Sequence, residues 1–113
     1  MLNYDEWDEY STLETLISHR TRMIGICNPH NPLGRLMRKD ELEGVARFAE
    51  EHDLWILNDE VWREIVFPPH QFSSFHHLPA PLRRRVISVH GFSKSHGLAG
   101  LRIGTIASPD PET

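Results

Sequence analysis

Three short apolar runs, separated by longer polar and amphipathic stretches, constrain the fold of this chain more than any other feature. Each run has the length and the aliphatic content of a buried strand. The runs occupy residues 22–27, 54–58 and 85–90. Between the first two, apolar side chains recur at helical spacing and predict a helix over residues 39–52. Strands that alternate with helices predict an α/β fold with a mostly parallel sheet.

Shorter elements complete this prediction. Ser11 and Glu14 have the spacing of a capping box, which predicts a short helix that ends near residue 19. Another short helix is expected over residues 80–84, and a fourth strand over residues 102–107. The chain has no repeat, low-complexity tract or internal linker, so we expect a single domain with one small core.

The composition argues against several classes of function. The net charge is −4, and the one basic run, residues 83–85, is more typical of a helix end than of a nucleic-acid surface. No apolar stretch has the length of a membrane span and the N-terminus lacks the pattern of a signal peptide, so we expect a cytoplasmic location. Cys27 is the only cysteine, which excludes an internal disulfide, and the eight histidines show no metal-ligand spacing. We therefore expect no metal site.

Polar motifs follow each predicted strand. The first strand leads into residues 28–34 (NPHNPLG), the second into Asp59-Glu60, and the third into a glycine-rich segment, residues 91–104 (GFSKSHGLAGLRIG). Taken singly, each motif is typical of a solvated turn or strand end. In open α/β sheets, however, ligands bind at the carboxyl ends of the strands. The ordered set of motifs therefore predicts a ligand site at one edge of the sheet.

At these motifs the chain closely resembles the large domain of fold-type I pyridoxal 5'-phosphate (PLP) enzymes. These are the class I/II aminotransferases and their cystathionine β-lyase-like carbon–sulfur lyase relatives. The resemblance runs from about Tyr10 to the C-terminus. It implies a three-layer α/β/α architecture with a mostly parallel sheet and PLP as cofactor. Since the family enzymes are several times longer, residues 1–113 are expected to be the central part of that domain, with an uncovered strand edge that favours self-association.

The resemblance assigns the chemistry to three charged residues. Lys94 matches the family lysine that forms a Schiff base with the cofactor aldehyde and then moves the proton at the substrate α-carbon. Asp59 matches the carboxylate that faces the pyridine nitrogen and favours its protonated form. Arg102 matches the arginine that binds the cofactor phosphate with its planar, permanently charged fork. Lys94 is thus the expected catalytic residue.

Further cofactor contacts are implied at three uncharged residues. Asn31 matches the asparagine whose amide bonds the cofactor ring oxygen, and Ser93 is expected to add a polar contact. Trp62 stands where many aminotransferases have a tyrosine that also bonds the ring oxygen, and its indole nitrogen can only donate. Gly91 stands where the family often has a phosphate-binding serine, so the phosphate contacts are expected to differ here.

Three functions fit the resemblance. The first is the PLP-binding segment of an aminotransferase that acts on amino acids and keto acids. The second is a PLP-dependent carbon–sulfur β-lyase, which shares α-proton abstraction by Lys94 and then expels a thiol. The third is a non-catalytic module of the same fold, such as part of a transcription regulator. The resemblance also implies a homodimer for the full-length enzyme and a small-molecule substrate, with neither nucleic acid nor membrane as partner.

Overall fold

A computed structural model describes residues 11–109. Its centre is a four-stranded sheet in which the strands follow chain order, β1-β2-β3-β4. The first three strands are parallel, and β4 is antiparallel to β3. The strands are β1 (Met23–Cys27), β2 (Trp55–Asp59), β3 (Val86–Gly91) and β4 (Gly104–Ala107). The predicted α/β fold with a mostly parallel sheet is confirmed.

Within residues 11–109, four α-helices and two 3₁₀ turns accompany these strands, and the first of the helices precedes β1. The α-helices are α1 (Ser11–Leu16), α2 (Lys39–Glu51), α3 (Ala80–Arg83) and α4 (Phe92–Ser95). The 3₁₀ turns are Phe75–His77 and Ala99–Leu101. No helix within residues 11–109 is long and apolar enough to cross a membrane.

The hydrophobic core lies between α2 and one face of the sheet. The apolar stripe of α2, including Leu42 and Phe48, is buried against Ile56 of β2 and Val86 of β3. Phe75, in the segment that precedes α3, is fully buried in the same cluster. Burial of this stripe stabilises α2 because a helix of its length is marginal in water without tertiary contacts.

Successive side chains of a strand point to opposite faces, so the sheet presents two different surfaces. The face toward α2 also carries polar residues near the strand ends, Asn58, Ser88 and His90, and all three are buried. On the opposite face, Leu57 is 37% exposed and Ile106 of β4 is 75% exposed. In the part of the chain that the structure describes, the strands and α2 thus form at the predicted positions, and the face of the sheet toward α2 is covered.

Two local predictions differ from the structure. The first helix ends at Leu16 rather than near residue 19, because Ser18 and Thr21 close a turn in which the Ser18 N–H donates to the Thr21 hydroxyl at 3.0 Å. The segment around Lys94, expected as a loop, begins with the one-turn helix α4. Four residues are too few for a helical periodicity to be visible in the sequence.

Candidate cofactor site

The predicted site residues come from segments that meet at one edge of the sheet. Cys27 pairs with Asp59, and Asp59 pairs with Val89, so the carboxyl ends of β1, β2 and β3 are level. Since β4 is antiparallel, its first residue, Gly104, pairs with Gly91 at the same edge. The segments that carry Asn31, Asp59, Trp62, Ser93, Lys94 and Arg102 all adjoin these strand ends.

Lys94 lies on α4, which begins directly after β3. The His96 N–H donates to the Phe92 carbonyl at 3.2 Å and closes this single turn. The Lys94 side chain is exposed, and its Nζ lies 5.3 Å from the centroid of the Trp62 ring. An ammonium over an indole face is attracted by the ring quadrupole. The turn after β2 therefore contacts the lysine turn after β3.

Asp59 is half-buried at the carboxyl end of β2. Its Oδ1 accepts the Val61 N–H at 3.0 Å, which orients the carboxylate within the turn. The side chain also lines a cavity of about 610 Å³, together with Cys27, His30 and Leu57. A carboxylate in this position presents negative charge to any group placed beyond the strand ends.

The segment after β1 is anchored by Asn28 rather than by Asn31. The Asn28 side chain is buried, its amide donates to the Ser73 carbonyl at 2.9 Å, and its Oδ1 accepts the Met37 N–H at 2.9 Å. Gly34 has φ +65°, a conformation that favours glycine, and its N–H donates to the His30 carbonyl at 2.7 Å. These bonds leave Asn31 exposed at the tip of the turn.

Arg102 precedes β4 in a left-handed conformation, with φ 54°. Its side chain is exposed and forms no ion pair with any residue of the described range 11–109. Ser93, on α4 beside Lys94, is half-buried. A guanidinium without a carboxylate partner at the strand-end edge suits an anionic ligand group.

A chain of buried polar residues lies beneath this edge, and the sequence motifs did not identify it as a unit. Glu60 is 2% exposed, and its Oε1 accepts hydrogen bonds from the Asn58 amide and the Ser74 hydroxyl. Ser88 accepts from Asn58 at 3.0 Å and lies 2.9 Å from His76 Nε2. Alternation along β2 and β3 could have placed Asn58 and Ser88 on the core face, where polar residues need partners.

Comparison with known proteins identifies the family. The profile of the family described as "Aminotransferase class I and II" matches residues 9–112. The chain belongs to this family. It is 35% identical over 108 residues to an aspartate aminotransferase of Pyrococcus abyssi (strain GE5 / Orsay), covering 96% of this chain and 26% of that protein.

Two solved structures have the same fold in this region. An aromatic aminotransferase from Pyrococcus horikoshii OT3 is 35% identical, with a TM-score of 0.79 over 96% of this chain and 27% of that one. Cystalysin from Treponema denticola, whose structure contains pyridoxal 5'-phosphate, is 27% identical, with a TM-score of 0.85 over 92% and 27%. The chain thus spans about a quarter of the length of these relatives.

The aminotransferase family is PLP-dependent, and the groups at the strand-end edge are chemically suited to that cofactor. PLP presents an aldehyde, a ring nitrogen and a phosphate. Lys94 offers a primary amine, Asp59 a carboxylate beyond the end of β2, and Arg102 a guanidinium that is unpaired within the described residues. An amine, an anion and a cation therefore match the three groups in kind.

Proposed function

We propose that this chain forms the PLP-binding segment of an aminotransferase that acts on amino acids through Lys94. The observation that carries the proposal is the position of Lys94. Its Nζ lies 5.3 Å from the Trp62 ring, at the edge where Asp59 ends the adjacent strand. The family match over residues 9–112 and the aminotransferase relatives support the same reading.

Lys94 has two roles in this proposal. Its amine would bond to the cofactor aldehyde, and once freed from that bond it would act as the base for the α-proton of the amino acid. Bound PLP would supply the electron sink that makes this hydrogen acidic. The exposure of the Lys94 side chain and its contact with Trp62 support these roles, because the amine is accessible on the turn that follows β3.

Asp59 and Arg102 would hold two different groups of the cofactor. Asp59 would favour the protonated form of the ring nitrogen through its negative charge. The hydrogen bond from the Val61 N–H to Oδ1 orients this carboxylate. Arg102 would bind the phosphate, and Ser93 would add a hydroxyl from the same turn as Lys94.

Asn31 and Trp62 complete the proposed contacts. Asn31 would donate its amide to the ring oxygen from the exposed tip of the turn after β1. Trp62, which stands in place of the usual tyrosine, would offer only its indole N–H as a donor. Its ring is the neighbour of Lys94.

The other two functions are less well supported. The Pyrococcus relatives are both named aminotransferases, which favours group transfer over β-elimination and over a non-catalytic module. We further propose an amino-acid or keto-acid substrate, a homodimeric full-length enzyme and a cytoplasmic location. These three statements rest on the family resemblance and on the sequence composition.

The test exploits the presence of only two lysines in the chain, Lys39 and Lys94. The purified chain is mixed with PLP, reduced with borohydride and digested, and the modified lysine is located by mass spectrometry. We expect modification at Lys94 in the wild type and in Lys39→Ala, and its loss in Lys94→Ala. Before reduction, the visible absorbance of the PLP adduct should likewise be present in the wild type and in Lys39→Ala and absent in Lys94→Ala.

Lys39 is the matched control because it is 67% exposed and lies on the first turn of α2 rather than on the turn after β3. If the site is formed, Lys94 is modified at PLP concentrations that leave Lys39 unreacted. Equal modification of the two lysines, or an unchanged spectrum in Lys94→Ala, would show that accessibility alone governs the reaction and would refute the proposal.

A further inference from the structure

The turn after β2 contacts the lysine turn at a second place besides Trp62. Glu64 lies two residues after Trp62, and its carboxylate faces two histidines that bracket Lys94. Glu64 Oε1 is 3.8 Å from His90 Nε2, and Glu64 Oε2 is 3.7 Å from His96 Nδ1. His90 belongs to β3 and His96 directly follows α4. One carboxylate therefore spans the whole turn that carries Lys94.

The buried environment of His90 indicates that this contact is a specific feature of the fold rather than an incidental approach of two side chains. Its side chain is only 6% exposed, and its Nδ1 lies 3.2 Å from the Glu60 carbonyl oxygen. Its Nε2 is buried and has no hydrogen-bond partner among the described residues. A buried polar atom without a partner is costly, so the charge of Glu64 at 3.8 Å is its available compensation.

Phe92 links the two histidines. Its ring packs edge-on against His90, with centroids 5.4 Å apart, and against His96, with centroids 5.5 Å apart. Edge-to-face pairs at these distances are attractive. The rings of His90, Phe92 and His96 form a row, and the histidine at each end of the row faces the Glu64 carboxylate. The backbone between Phe92 and His96 is the single turn that carries Lys94.

We infer that Glu64 is a positioning residue that holds the Lys94 turn in place by binding His90 and His96. This inference rests on the proposed role of Lys94 in bonding the cofactor. Glu64 itself need not touch the cofactor. Together with the Trp62 contact, it fixes the lysine turn to the turn after β2, so that the Lys94 amine stays in the position from which it reacts.

Other charged and polar groups also lie close to this contact. Arg63 approaches the Glu64 carboxylate at 3.8 Å and also lies 3.7 Å from Glu60 Oε2. The Ser95 hydroxyl lies 2.8 Å from His96 Nδ1, and Lys94 adds a positive charge on α4. The charge of Glu64 is therefore the property that the experiment removes.

The experiment measures the rate at which PLP and borohydride modify Lys94 in the full chain. Glu64→Gln keeps the shape of the side chain and removes its charge. We expect it to slow the modification by about two- to five-fold, the range that a partly exposed ion pair supports. Glu43→Gln is the matched control, because Glu43 is 34% exposed and forms one 4.0 Å ion pair on α2.

A double-mutant cycle separates positioning from general destabilisation. His96 is 48% exposed, so His96→Gln is expected to fold. If Glu64 acts through His96, His96→Gln also slows the modification, and the double variant is slower than the wild type by less than the product of the two single effects. Fully multiplicative effects, or rates equal to those of Glu43→Gln, would overturn the inference while leaving the role of Lys94 intact. Absence of a Lys94 adduct in the wild type would overturn the proposed function and this inference together.

Discussion

At the scale of single residues, Glu60 shows how a buried charge is accommodated next to the site. Its carboxylate is nearly inaccessible, and burial of an ionised group is costly unless hydrogen bonds compensate it. The Asn58 amide donates to it at 2.7 Å, the Ser74 hydroxyl donates to the same oxygen, and Arg63 Nη1 lies 3.7 Å from the other. Glu60 thereby ties the end of β2 to the segment that precedes α3.

We predict that Glu60→Ala lowers the free energy of unfolding by about 3 kcal/mol, because Asn58 and Ser74 lose their acceptor and Arg63 loses its partner. Glu60→Gln keeps an acceptor oxygen and should cost about half as much. Chemical denaturation measures both. Glu51→Ala, at an exposed position near the end of α2, is the control and should change stability by less than about 0.5 kcal/mol. A cost for Glu60→Ala no larger than the control would contradict the role given to this network.

At the scale of elements, α2 depends on a carboxylate at its N-terminus. Glu41 Oε2 accepts the Arg38 N–H at 2.6 Å, which satisfies a backbone donor that the first helical turn leaves free. Glu41 also forms ion pairs with Arg35 and Arg38. A hydrogen bond from the Arg38 side chain lowers the pKa of the neighbouring Asp40 carboxyl. The first turn of α2 thus stays negatively charged to lower pH, which suits the positive end of the helix dipole.

We predict that Glu41→Ala reduces the free energy of unfolding by about 2 kcal/mol, since it removes both the backbone bond and the ion pairs of a largely buried side chain. Glu43→Ala, two residues along the same helix and 34% exposed, is the matched control and should cost about 0.5 kcal/mol or less. Thermal unfolding followed by circular dichroism compares them. Equal losses in the two variants would mean that helix propensity, not the N-terminal contact, sets the stability of α2.

At the scale of the whole molecule, one face of the sheet is covered and the other is open within residues 11–109. The covered face packs on α2, whereas the opposite face presents Leu57 and the 75% exposed Ile106. Apolar surface of this kind favours association, and β4 adds a strand at the margin of the sheet. The isolated chain is therefore expected to bind hydrophobic dyes and to self-associate at high concentration.

We predict that Ile106→Lys lowers dye fluorescence and shifts the chain toward monomer, because it places a charge on the open face at little cost to packing. Size-exclusion chromatography with light scattering reports the mass. Phe67→Lys is the matched control, since Phe67 is 77% exposed but lies in the loop after β2 rather than on the sheet. If Phe67→Lys has the same effect, association is governed by general solubility and not by the sheet face.

Local patterns in the sequence were sufficient to predict much of this architecture. Alternating apolar runs and a helical stripe predicted three strands and α2 to within two residues of their bounds. The polar motifs were also placed correctly at the carboxyl ends of the strands, because parallel strands bring those ends to one edge. The roles given to Asn31, Asp59, Trp62, Ser93, Lys94 and Arg102 stay predictions, and the borohydride experiment tests that of Lys94.

Other features arise only when distant parts of the chain meet. The contact between Lys94 and Trp62, the bonds that hold Glu60, and the two histidines at Glu64 join residues up to 32 positions apart. Periodicity and motif spacing report which face a side chain takes within its own element, and they carry no information on its partner across the fold. The sequence by itself thus determined the strands, the main helix and the edge at which the polar motifs lie. Tertiary structure alone decided which polar groups are paired there, because pairing depends on the register of strands and the packing of the turns between them.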